Sequence, residues 1–477
     1  MERFLTYEMF GAVGDGRTDD LPAIAQAHRE ANRQQLPVKA REGAVYYLSP
    51  KALTAPVETD TDWTGARFII DDVGCEDHTA PVFHVRSRKE PLPLQAASMV
   101  YGQTTLENPF GCDLFVAVEN QNHRDYIRKG LNQDNGHTRT DVFVLGADGR
   151  LSSPLSFDFE EITSLLACPI DEETLTLKGG SFTTVANQAE SKYNYHYRNI
   201  HITRSNVEVS GITHLITGEG DHGAPYNGFI RLSDCARVCI RDCLFTGHFI
   251  YHTIGSAGLP VPMGSYDIRL DRTAEIRILR CNQTTDIHDS RYWGLIATNF
   301  CRDLCFEDCT FSRFDAHMGV TNCTLRRCRL GWQCLNAIGN GTFLIEETEA
   351  HGNAFVNLRE DYGCTWRGEI IIRNCTWVPR STQRAVFSGH NDGTHDFGYT
   401  CHMPNVVIDV LTVAEEASDG SPLYVFNNYL GSTEVTGERR HMPLPPERVS
   451  VRGIRTSRPV ALCEEPGLMV GTEWRKG

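Results

Sequence analysis

The sequence predicts an all-β protein folded as a parallel β-helix, and three observations carry that expectation. One eight-residue template recurs as LCFEDCTF (304–311), CTLRRCRL (323–330), FLIEETEA (343–350) and IIIRNCTW (370–377). Upstream copies are VCIRDCLF (238–245) and IRILRCNQ (276–283), with weaker ones at VEVSGITH (207–214) and LTLKGGSF (175–182). Within each copy apolar residues alternate, the period of a strand rather than the 3.6-residue period of a helix. The sixth position makes a column of Gly180, Ile212, Cys243, Cys281, Cys309, Cys328, Thr348 and Cys375, spaced roughly 20 to 38 residues apart. Repeats of that length with unequal coils mark a solenoid. Like residues of successive coils then stack about 4.8 Å apart.

Composition narrows the classes of function. The 477-residue chain carries a formal net charge of −15, which argues against a nucleic-acid backbone or an anionic membrane as partner. Acidic sugars stay open, because a local Arg and His patch can sit in an acidic protein. No apolar run approaches the ~20 residues of a membrane-spanning helix. The opening MERFLTYEMFGAVGDG lacks the apolar core and cleavage site of a signal peptide. The expected location is therefore cytoplasmic, with the seventeen cysteines as reduced thiols. Those of the column act as small buried hydrophobes. There is no paired C-x-x-C, so neither a metal nor a cofactor is expected.

Each element follows in order. Residues 1–84 form a cap and the first coils: a short strand at Tyr7 to Val13, a tight turn at Gly14-Asp15-Gly16, and a capping helix over about 20–33. Thr18 and Asp19 stand at its N-terminus, with Leu21, Ile24, Ala25 and His28 on one face. AVYYLS (44–49) and ARFIID (66–71) are first strands. Residues 85–171 break the rhythm and predict a small inserted β subdomain, with DLFVAVEN and TDVFVLG as antiparallel strands and a short helix at 159–166. Its Arg124, Tyr126, Arg128, Lys129 and His137 are either a solvated surface or a lip over the substrate. The main coils span 172–415, each with a second strand whose inward candidates are Ile254, Ile296, Val320, Ile338 and Leu358. Long connections at similar places in the coils should gather on one side as a cleft. Residues 416–477 close the C-terminal end irregularly.

The stretch FGAVGDGRTDDLPAIAQA resembles the N-terminal signature of the pectate-lyase-like superfamily of right-handed parallel β-helices. That superfamily includes polygalacturonases, other glycoside hydrolases, polysaccharide lyases and phage tailspikes. The resemblance implies the fold and an oligosaccharide partner, and by analogy a homo-oligomer such as a trimer. It assigns no reaction: the polygalacturonase hallmarks and the pectate-lyase calcium acids are not found, so no catalytic residue carries over.

The residues themselves point to carbohydrate chemistry. DIHDSRYW (286–293) concentrates Asp286, His288, Asp289, Arg291, Tyr292 and Trp293; the next coil offers Asp315 and His317; two coils further come Arg359, Glu360, Asp361 and Trp366. Paired carboxylates at about 5–5.5 Å or 6.5–9.5 Å serve retaining or inverting glycosidases. Asp289, Asp315, Glu360 and Asp361 are the acid/base candidates. Asp286, His288, Arg291, Tyr292, Trp293, His317, Arg359, Trp366 and His252 are the substrate-binding ones. The leading expectation is an exo-acting glycoside hydrolase. The alternatives are a polysaccharide lyase acting on uronic-acid glycans, or a glycan-binding protein of tailspike type without catalysis.

Overall fold

The computed structural model describes residues 3–130, 135–192, 194–220, 223–254, 260–380, 384–414, 420–431, 438–464 and 469–477. The chain is a parallel β-helix: one sheet system of 31 strands in which each strand pairs with its counterpart one coil on. One inward rung runs nearly the whole length through Leu177, Val209, Ile240, Ile278, Phe306, Leu325, Ile345, Ile372, Ile408 and Val451, each in register with the next. All are buried in one continuous core. Alternation forces this, because a strand can turn only every second side chain inward.

The repeat template describes a corner. Its fifth position, at Asp242, Arg280, Asp308, Arg327, Glu347 and Asn374, has φ between 49° and 57°. That left-handed step turns the strand, and the sixth residue then drops into the core. Cys243, Cys281, Cys309, Cys328 and Cys375 are buried there as free thiols. Their Sγ atoms lie against backbone carbonyls, as Cys375 does with Ile345 O (3.3 Å) and Arg373 O (3.3 Å). Outside, corner charges of opposite sign stack: Arg280 on Asp242 (2.6 Å) and Arg327 on Asp308 (2.7 Å).

Helix α1 (Leu21–Gln34) covers the first coil with Leu21, Ile24, Ala25 and His28 buried. Trp63 donates to Tyr7 (2.8 Å), whose hydroxyl faces His28 Nε2 at 3.0 Å. Tyr7 to Val13 is not a strand; Tyr7–Phe10 is a 3-10 turn, ended by Gly11 at φ 96°. The helix starts on Asp20 instead of Thr18 or Asp19, and the Asp20 carboxylate accepts from Val13 N (2.6 Å) and Gly14 N (3.1 Å), tying the Gly turn to the helix.

Within 85–171 lies an antiparallel three-stranded sheet of Leu114–Asp125, His137–Leu145 and Ser164–Pro169. The expected short helix at 159–166 is absent. Ser164 to Pro169 pairs with Glu119 to Leu114, because an open edge of the hairpin is satisfied better by a third strand. The sheet docks on the solenoid through apolar contacts of Phe115, Val142 and Val144 with Ala236 and Ala274. Arg302 of the solenoid, wholly buried, pins it by meeting Asp141 (2.7 and 2.8 Å) and Pro154 O (2.6 Å).

Among the inward candidates, Val320 and Leu358 lie in the solenoid core. Ile254 is instead 64% exposed, on a hairpin that leaves the coil (Tyr251–Ile254 against Pro260–Met263). Ile338 is buried, but in an outer cluster with Tyr126, Met318 and Tyr362 under the inserted segment. The side chain of Ile296 lies outside the described ones.

Candidate active site

The outward positions of the second strands build the floor of a cleft. One outer column holds His201, Arg231, Arg269, Asp315, Asn336 and Asn357. Two residues on, Ser233, Asp271 and Asn299 make a second. A bulge then interrupts the register: Thr298 faces Ala316, but Asn299 faces Met318, and His317 is the extra residue. Bulges re-aim side chains. Here Asp315 and His317 both reach the cleft, and Gly319 at φ 56° restores the strand. Arg128, Lys129 and His137 of the inserted segment form the opposite wall.

The cleft encloses about 1060 Å³ and is lined by seven cationic side chains, Arg128, Lys129, Arg231, Arg269, Arg272, Arg313 and Arg359. Four carboxylates face them: Asp234, Asp271, Asp315 and Asp361. Each carboxylate is tied to arginine. Asp315, nearly buried, accepts from Arg313 (2.6 Å) and Arg359 (3.2 Å). Asp361 accepts from Arg359 (2.6 Å) and Arg128 (2.8 Å). Asp271 accepts from Arg269 (3.0 and 3.1 Å) and lies 3.5 Å from Arg231. Burial pushes Asp271 and Asp361 up, but the arginines outweigh it and hold both below the usual carboxylate range. Asp234 is displaced upward, by burial, against the pull of Arg272. Arginines also stack on aromatic faces, Arg313 on Trp293 (4.9 Å), Arg231 on Tyr197 (4.9 Å) and Arg269 on Tyr266 (5.2 Å).

His317 has a defined protonation state. Asn299 Nδ2 donates to Asp271 (2.8 Å), so its Oδ1 is the atom that meets His317 Nδ1 at 2.7 Å. That contact requires the ring proton on Nδ1 and leaves the lone pair on Nε2. Burial, then the charges of Arg359, Arg269, Arg128 and Arg313, push the imidazole well below its ordinary value. The ring is a neutral acceptor in a cationic cleft.

The structure brings together Asp315, His317, Arg359, Asp361 and Trp293. The rest lie elsewhere. Asp286 and Asp289 do not stack over His317; their carboxylates accept from His288 N (2.9 Å) and Arg291 N (3.0 Å), the turn-forming use of Asp. Asp289 is bound by Arg291 at 2.6 Å, which lowers its pKa, the reverse of what a general acid needs. Glu360 is exposed on a 3-10 turn away from the cleft. Trp366 is no sugar platform: it is fully buried in the core and donates to Gly341 O at 3.0 Å. His288 packs by His351, Tyr292 stacks on Phe249, and Arg291 and His252 line a neighbouring cavity.

Arg231, Arg269, Asp271, Asn299 and Arg313 were not singled out by sequence, whereas Arg128 was, in the segment read as either a solvated surface or a lip. A signal existed for two of them. Ile-Arg-Leu occurs at 230–232 and again at 268–270, one coil apart, with the arginine at an outward position both times.

No protein-family model matches the chain, and no curated protein sequence does. Among solved structures, the tailspike protein gp49 of Pseudomonas phage LKA1 superposes with a TM-score of 0.57 at 12% identity, over 99% of this chain and 84% of that one. The tailspike gp61 of Pseudomonas phage phi297 gives 0.56 at 11% identity, over 98% of this chain and 83% of that one. At such identity the likeness concerns architecture, and in architecture this chain is a parallel β-helix.

Proposed function

We propose that the protein is a carbohydrate-active enzyme that binds an anionic glycan in the cationic cleft and cleaves it by β-elimination beside a uronic acid. The observation that carries this reading is His317: a neutral imidazole whose Nε2 has no hydrogen bond among the described residues, oriented through Asn299 and Asp271 and surrounded by arginines. A uronate carboxylate pairs with arginine, and Arg231, whose one ion-pair contact is at 3.5 Å, has donors to spare. Neutralising that carboxylate acidifies the neighbouring C5–H. His317 Nε2 takes the proton, the C5–H electrons form the C4=C5 double bond, and the C4–O bond breaks. The departing oxygen takes up a proton, which the imidazolium can return. The arginine ties on Asp315 and Asp361 also argue against these two as the paired carboxylates expected from sequence, since an acid/base pair needs one carboxyl kept protonated.

Incubation with uronic-acid oligosaccharides tests it. Elimination yields a product with new ultraviolet absorbance from the double bond. New reducing ends without absorbance would replace the reading with hydrolysis, and binding without any cleavage would replace it with glycan recognition alone.

A further inference from the structure

Beyond Trp293 and Pro262, which line both, a second cavity of about 770 Å³ adjoins the cleft. Its character is the opposite. Phe249, Tyr251, Trp293 and Trp332 supply aromatic walls. Its charged lining residues are already matched: Glu219 accepts from Phe249 N (3.0 Å) and meets His248 Nδ1 (2.9 Å), and Arg291 at the rim is bound to Asp289 (2.6 Å). A carboxylate entering here would meet only the rim guanidinium of Arg291, already paired with Asp289, and the imidazole of His252, where the main cleft offers seven cationic side chains. A neutral pyranose would place its C–H face on the rings. The indole N–H of Trp293, buried at the wall between the cavities, has no hydrogen-bond partner among the described residues.

We infer that the second cavity holds a neutral sugar of the same glycan whose uronate lies in the cationic cleft, so that the substrate is a heteropolymer joining acidic and neutral sugars. This rests on the uronate reading of the main cleft. A homopolymeric uronate would put a second carboxylate where the one guanidinium, at the rim, is already paired.

Calorimetric titration of the whole protein tests this, with hyaluronan and chondroitin oligosaccharides as mixed probes and oligogalacturonate and oligomannuronate as homopolymeric ones. The mixed probes are expected to bind tighter. Trp332→Ala should raise Kd for them about tenfold while moving Kd for the homopolymers less than about twofold. Trp332→Phe, which keeps an aromatic wall, should restore most of the loss, and an unchanged melting temperature excludes a folding defect. Tighter homopolymer binding, or an equal effect of Trp332→Ala on both classes, overturns the inference. Arg231→Ala separates the two layers. If it weakens both classes while Trp332→Ala weakens neither, the second cavity alone is misread; if it weakens neither class, the uronate reading falls and this one with it.

Discussion

At the scale of the residue, the site is a protonation relay. Asp271 fixes which way Asn299 points, and Asn299 fixes which nitrogen of His317 carries the proton. His317→Ala is expected to lower kcat by about 100-fold or more, the usual contribution of a positioned base. Because the ring is held well below its ordinary value, the acid limb of the pH–rate profile should lie below pH 6.5; a limb centred at or above that value would remove His317 as the base. Asn299→Asp puts a carboxylate against the ring and should move the limb upward, a displacement that a merely structural role would not produce. His317 and Asp315 were legible in the sequence because they share an outward period. The relay was not, since Asp271 and Asn299 sit two coils and one coil before His317, and only the register joins them. The acid-rich loop 286–293 misled for a physical reason: Asp is as useful for closing a turn as for catalysis.

At the scale of the element, the corner and the docked sheet are separable. The corner column tolerates what fits behind a left-handed step. Thr348 already replaces cysteine there, so Cys328→Thr should change the unfolding free energy by less than about 1.5 kcal/mol, whereas Cys328→Leu should cost about 1–3 kcal/mol by overpacking. Denaturant titration reads both. The template was readable from sequence because its period, corner and small buried residue repeat. The inserted sheet was readable only in part, since the third strand at Ser164–Pro169 owes its state to an open edge and not to its own pattern. Its attachment through Arg302 was invisible, because the partner Asp141 is 161 residues away. Removing Arg302 would leave Asp141 buried without its cation, so Arg302→Met is expected to cost about 3–5 kcal/mol. Protease should then cut within 85–171 before it cuts the solenoid.

At the scale of the molecule, charge and protonation set the working range. A cationic cleft in a chain of net charge −15 concentrates anionic ligands locally. Binding of uronic-acid oligosaccharides should therefore weaken steadily with added salt, and salt-independent binding would argue for an apolar mode. Stability should fall in acid. Burial holds His28 and His201 down to about 3 and His196 to about 4. The unfolded chain takes protons at these rings near pH 6.5 that the folded one refuses, so their stabilising share is complete above pH 6.5 and is lost as pH falls from there to about 4 for His196 and about 3 for His28 and His201. A melting temperature unchanged between pH 7 and pH 4.5 would contradict this. The wall that Arg128 adds to the cleft has a consequence for synthesis. Neighbouring coils touch residues about one repeat away and can wind as the chain emerges, yet Arg128 waits 233 residues for Asp361. The ribosome has released most of the spiral before the site can close, so a nascent chain stopped short of Asp361 would be largely wound and have no complete cleft.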